Sequence, residues 1–161
     1  MTDPFAGAEP TLPPYASWGR RFAAVFVDGF LLAIPFVVAI VVAVVSTEGS
    51  GGGQEDEISD AAAIGVLIAW ALSVVAPLVY YTVLHGRASG QTVGKRLLGI
   101  RVVGEDFRPI GYGRAFGRVL ISWVLWLLCY VPGILDVLWP LWDDKNQSLH
   151  DKVANSLVVR A

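Results

Sequence analysis

The chain has 161 residues, a formal net charge of −2, 55% hydrophobic residues and a mean hydropathy of +0.58. That length suits one domain. It is too apolar for an ordinary soluble one, and so small a net charge gives no basis for nucleic-acid binding. A single cysteine, Cys129, excludes an internal disulfide and a cysteine metal cluster.

Residues 1–14, rich in Pro and Ala, read as a disordered tail ahead of a transmembrane domain over 15–161. The apolar residues then fall in three blocks, 22–45, 61–84 and 119–142. Each is long enough to cross a bilayer, which takes about 20 apolar residues. The fold class expected is therefore an all-α membrane protein with about three hydrophobic helical segments. The first block is too long for a signal h-region and carries an acid, so a retained helix is expected.

Between the first two blocks, residues 46–60 form a Gly-rich connector with five acids and no Lys or Arg. Residues 85–118 hold seven basic residues against Glu105 and Asp106. Arg20 and Arg21 precede the first block. Basic loops stay on the cytoplasmic side. The expected arrangement is multi-pass in the cytoplasmic membrane, with the N-terminus and loop 85–118 inside and loop 46–60 outside.

The third block contains Pro132–Gly133, where a break is plausible. Unbroken, it places the C-terminus outside; broken, it turns back. The β-prone runs 99–104 and 156–161 favour the second arrangement, because pairing them requires both on one side. On the second helix Gly65, Ala69 and Ser73 recur at four-residue spacing, a row that permits close helix approach.

Charged groups in apolar runs are the candidates for function. Arg21 and Asp28 share a helix face but stand about 10 Å apart along the axis, so Asp28 is expected to meet a donor from elsewhere. Pro35 extends their stripe. Asp136 is a second intramembrane acid, able to approach Asp28 only if the third block turns back.

"SGQTVGKRLLGIRVV", 89–103, fails the phosphate-loop pattern, since Arg96 stands where a metal-binding Ser or Thr is required. No nucleotide is expected. A short helix after Thr92 is, with Lys95, Arg96 and Arg101 meeting anionic lipid headgroups or acidic side chains. His150 and His85 with scattered acids make a weak metal set. No metal, cofactor or catalytic group is expected.

These stretches together resemble the RDD family of small membrane proteins, named for one Arg and two Asp. "RRFAAVFVD" supplies Arg21 and Asp28, "GQTVGKRLLGIRVV" resembles the family's glycine-rich stretch, and "QSLHDKVANSLVV" makes Asp151 the second Asp. Asn155 and Ser156 stand where the family has Gly and Thr. The resemblance implies a polar set of Arg21, Asp28 and Asp151, with Lys95, Arg96, His150 and Asp136 in support. Two roles follow. One is a non-enzymatic accessory or scaffold protein in which the set is a structural clasp. The other, drawn from some family members, is a subunit of an oligomeric Na+(Li+,K+)/H+ antiporter with Asp28 exchanging the proton. Three helices make a thin bundle, so a homo-oligomer or larger membrane complex is expected.

Overall fold

The computed structural model describes residues 14–48 and 60–161. The expected tail at 1–14, apart from Pro14, and most of the acidic connector at 46–60 lie outside them. Helix α1 runs Trp18–Glu48 and α2 runs Asp60–Gly86. Within them, Trp18–Val42 and Ala63–Gly86 are long and apolar enough to cross a membrane. A soluble core helix buries such a surface. Here Phe26, Phe30, Leu67 and Trp70 are all exposed, and little of either segment is covered by the rest of the chain.

α1 packs on α2. On α2 the covered face is the small-residue row, with Ala69 buried and Gly65 and Ser73 half-buried. Pro35 lies inside α1 and is exposed, so the stripe from Arg21 and Asp28 does not continue as a buried one.

Beyond α2 the chain builds a small polar-capped unit. Thr92 starts helix α3 (Val93–Leu97) by accepting from the Lys95 backbone N–H at 3.2 Å. Strand β1 (Ile100–Gly104) pairs antiparallel with β2 (Ser156–Arg160), with Val102 opposite Val158 and Val103 opposite Leu157. Tyr15 bridges to Val159 on the other edge of β2, and Ala16 donates to the Val158 carbonyl at 2.8 Å. The segment leading into α1 is thus fastened to the last strand. Alternation divides the apolar residues as a pleated strand requires. Ile100, Val102 and Val158 join Ala24, Ile110 and Ala115 on one face; Val103, Leu157 and Val159 join Tyr15 and Phe107 on the other.

The segment 119–142 is not one helix. Helix α4 (Gly111–Leu128) ends at Cys129, whose backbone is extended at φ −173° and ψ 152°, and α5 (Tyr130–Leu138) follows directly. The break thus lies three residues before the expected Pro132–Gly133. Pro132 is the third residue of α5, where its missing N–H forfeits no intrahelical bond. Gly133 is buried where any side chain would strike the Trp126 ring, so α5 folds back onto α4. Among the described residues two helices, not three, have spanning length. With the β1–β2 ribbon, the fold is mostly helical rather than all-α. A 3₁₀ turn (Trp139–Leu141) and helix α6 (Leu149–Val153) complete the chain.

Candidate functional site

Asp28 is fully buried on α1 and accepts three hydrogen bonds. The Tyr80 hydroxyl donates to Oδ1 at 2.8 Å, the Gly94 backbone N–H to Oδ1 at 2.7 Å and the Thr92 hydroxyl to Oδ2 at 2.6 Å. The Tyr80 hydroxyl also accepts from the Val93 N–H at 3.0 Å. One carboxylate thereby ties α1 to α2 and to the first turn of α3. Carboxylates bonded by several donors are well compensated for burial.

Gly94 is required for this approach. A Cβ there would overlap the Ala24 carbonyl oxygen on α1. Gly90 is required for a different reason: its φ is +59°, and a side chain would strike the Val102 carbonyl. The glycines of "SGQTVGK" therefore serve close backbone-on-backbone contacts.

Arg21 does not bind Asp28. Its Nη1 donates to Asp151 Oδ2 at 2.5 Å, and Arg118 Nη2 lies 2.6 Å from Asp151 Oδ1. Asp151 is fully buried, within α6. It also receives the Ser148 backbone N–H at 3.3 Å in a capping box, and the Ser156 hydroxyl lies 3.3 Å from Oδ1. Burial alone would raise the Asp151 carboxyl. Arg118 and Arg21 outweigh it and hold the group well below the ordinary carboxylate range.

Asp136 is buried on α5 and takes His150 as partner, not Asp28. Its oxygens accept from the His150 backbone N–H at 2.9 Å and meet ring Nδ1 at 2.6 Å. His150 Nε2 lies 3.3 Å from Arg118 Nη2, a group that can only donate. The network therefore assigns the tautomer with the proton on Nδ1, donated to Asp136. The α4–α5 reversal brings Asp136 to the edge of the Asp151 cluster.

Lys95 is buried between the two acid sites rather than laid on a lipid surface. Burial, then the Arg118 charge, lowers its ammonium to about 7, with Asp28 and Asp151 opposing that shift. Arg96 is exposed on the far side of α3 and stays outside the cluster. Arg118, Thr92, Gly94 and Tyr80 join the site without having been singled out for it. Arg118 reads in sequence as one more charge of a basic loop. Its position one residue before the third apolar block was the available signal. Arg114, also beyond the expected set, donates to the Ala154 carbonyl at 3.1 Å and to that of Asn155 at the end of α6.

Two helices of spanning length, fastened at one end by buried carboxylates to a small helix-and-ribbon unit, define a small helical membrane protein. The chain belongs to the RDD family, whose model matches residues 15–155. It is 33% identical over 156 residues to the "Proline-rich antigen homolog" of Mycobacterium tuberculosis (strain ATCC 25618 / H37Rv), covering 90% of this chain and 63% of that one. It is 23% identical over 150 residues to "Uncharacterized protein YxaI" of Bacillus subtilis (strain 168), covering 89% and 96% of the two chains. The chain thus spans less than two thirds of its mycobacterial relative and nearly all of the Bacillus one. No solved structure matches.

Proposed function

We propose that this chain is a non-enzymatic accessory or scaffold module of the cytoplasmic membrane, in which Arg21, Asp28 and Asp151 form a structural clasp. The observation that carries this reading is the saturation of both acids. Asp28 and Asp151 are fully buried, and each is met by donors from at least two other parts of the chain. A carboxylate that exchanges ions needs a route to water and lone pairs free for the ion. A carboxylate that closes a fold needs the arrangement seen here.

In this reading α1 and α2 cross the bilayer. The N-terminus, residues 85–118 and the C-terminus share the cytoplasmic side. The β1–β2 pairing and the Tyr15 bridge support that common side, since they tie all three regions together. The basic residues of 85–118 support its being the cytoplasmic one. The module works within a homo-oligomer or a larger membrane assembly.

The test is Na+-dependent proton flux in proteoliposomes, wild type against Asp28→Asn. The clasp reading expects no flux from the wild type and impaired assembly of the variant. Flux in the wild type that vanishes in a stably assembled variant would overturn it.

A further inference from the structure

A cavity of about 460 Å³ opens beside the clasp, between the start of α1 and the α4–α5 turn. Its size lies within the usual range for small-molecule pockets, about 300–1,000 Å³. Most of its wall is apolar, with Phe22, Val25, Trp126 and Ile134 among the lining residues, and all four are also exposed at the protein surface. Phe22 and Val25 belong to the first turns of the spanning segment Trp18–Val42. The apolar wall is thus continuous with the surface that faces hydrocarbon.

The polar part of the wall is different in kind. It carries Arg21, Lys95 and Arg118, with Asp136 and His150. Both oxygens of Asp136 are already engaged by His150. The two guanidinium groups share a single carboxylate, Asp151, and are not satisfied by it. Nε and Nη2 of Arg21 and Nε and Nη1 of Arg118 are buried without a hydrogen-bond partner among the described residues. Arg118 is 5% exposed. Buried N–H groups of a guanidinium are expensive to leave unmet, and an oxyanion is the partner their fork geometry suits.

We propose that this cavity binds one anionic phospholipid, its phosphate on the spare N–H groups of Arg21 and Arg118 and an acyl chain along the Phe22–Val25–Trp126–Ile134 wall. A free anion would use the guanidiniums and leave the apolar wall empty. A neutral hydrocarbon would do the reverse. An amphiphile with an anionic head uses both, and the cavity's place at one end of a spanning segment is where such a headgroup resides. The inference rests on the membrane reading but not on the clasp's lacking transport activity. It gives the cluster a role that the clasp does not need.

The test is native mass spectrometry of the full chain released from detergent. It is titrated with phosphatidylglycerol or phosphatidylcholine of identical chains, with inorganic phosphate and a fatty acid as competitors. Phosphatidylglycerol is expected to bind about tenfold more tightly than phosphatidylcholine. Val25→Trp on α1 and Ile134→Trp on α5 each place an indole in the cavity without touching the clasp. At least one should weaken phosphatidylglycerol binding about tenfold while the lipid-free protein unfolds at the wild-type temperature. Equal affinity for the two lipids overturns the proposal, as does wild-type binding by both variants. So does displacement by phosphate or fatty acid at concentrations equal to the lipid. Failure of the clasp itself shows separately, as lipid-free Arg21 and Asp151 variants that unfold at the wild-type temperature.

Discussion

Arg21 pairs with Asp151, 130 positions away in sequence, at 2.5 Å, and not with Asp28 on its own helix. The first helix is therefore fastened twice, through Arg21 to α6 and through Asp28 to α3. The two fastenings lie about 10 Å apart along α1, with Lys95 buried between them. A single break should loosen the helix-and-ribbon unit from α1 without abolishing the spanning helices.

Asp151→Asn should be the most damaging single change. It deprives two buried guanidiniums, Arg21 and Arg118, of the carboxylate that both pair with. Breaking a buried pair by removing one partner costs about 3–5 kcal/mol, and unfolding in detergent should show a loss of that size. The same residue sets an acid limit. Its folded-state carboxyl lies below the ordinary value of 3.8, so the stabilisation is complete above that value. It drains away as pH falls toward the folded pKa. The acid limb of the wild-type stability curve should be shallower in Asp151→Asn.

Lys95 makes a second pH prediction, on the alkaline side. Its ammonium is lowered from 10.5 to about 7, burial being the main cause. Between those values the unfolded chain binds a proton that the folded chain does not. Stability should therefore rise with pH from about 7 to 10.5 and carry no such slope below. Lys95→Met keeps the stem and removes the charge. It should fold, should be at least as stable as the wild type at neutral pH, and should lose the alkaline slope in denaturant titrations run at several pH values.

Gly94→Ala tests the backbone contact that lets Asp28 reach α3. The added methyl would overlap the Ala24 carbonyl, and backbone cannot move aside as a side chain does. A cost of about 1–3 kcal/mol is expected for such overpacking, with the Gly94 N–H bond to Asp28 lengthened. Gly19→Ala is the control. Among the described residues nothing lies within 4 Å of a methyl there, and a helical Gly→Ala change should stabilise by about 0.5–1 kcal/mol. Equal effects of the two substitutions would remove the contact as an explanation for the glycine.

Part of this site was legible because charge is conspicuous in an apolar run. Asp28 stands out there with no structure at all, and Arg21 at the head of that run; Asp151 lies in a polar stretch and was marked only by the family resemblance. The β pairing of 99–104 with 156–161 follows from β-branched runs. The partner choices were not legible. Arg21 and Asp28 share a face, but reach and side-chain direction decide contacts, and those depend on where α6 docks. Arg118 resembles its neighbours in a basic loop until the fold buries it. The division at Cys129 carries no sequence mark, since a small apolar residue in an apolar segment looks like helix. Pro132, the visible breaker, sits where a helix accepts proline. Asn155 was legible in kind: it stands where the family has glycine and adopts φ +46°.

Asn155 therefore offers a test of backbone geometry separate from charge. It connects α6 to β2, so its conformation aims Asp151 on one side and the strand on the other. Asn155→Ala should cost about 1 kcal/mol, because an ordinary side chain pays about that to occupy the left-handed region, whereas Asn tolerates it. Asn155→Gly should be within about 0.5 kcal/mol of the wild type, its easier left-handed geometry offset by a freer unfolded chain. Thermal unfolding of the two variants in one detergent separates these outcomes, and equal losses would show that the Asn side chain, not the turn, matters.

Thr92→Val removes a hydroxyl that works in two directions, donating to Asp28 Oδ2 and accepting the Lys95 N–H that begins α3. The shape is kept, so what is lost is polar. The missing cap costs about 1 kcal/mol, and an acceptor deprived of its donor in a buried site costs about 1–3 kcal/mol more. Tyr80→Phe removes one donor to the same carboxylate and, with it, the acceptor of the Val93 N–H. If the three donors act as a unit around Asp28, the double variant should lose less than the sum of the singles, because the first loss already loosens α3 from α1. Strict additivity in a double-mutant cycle would mean that Asp28 is held by independent bonds, and the clasp would then be a description of contacts rather than a cooperative fastening.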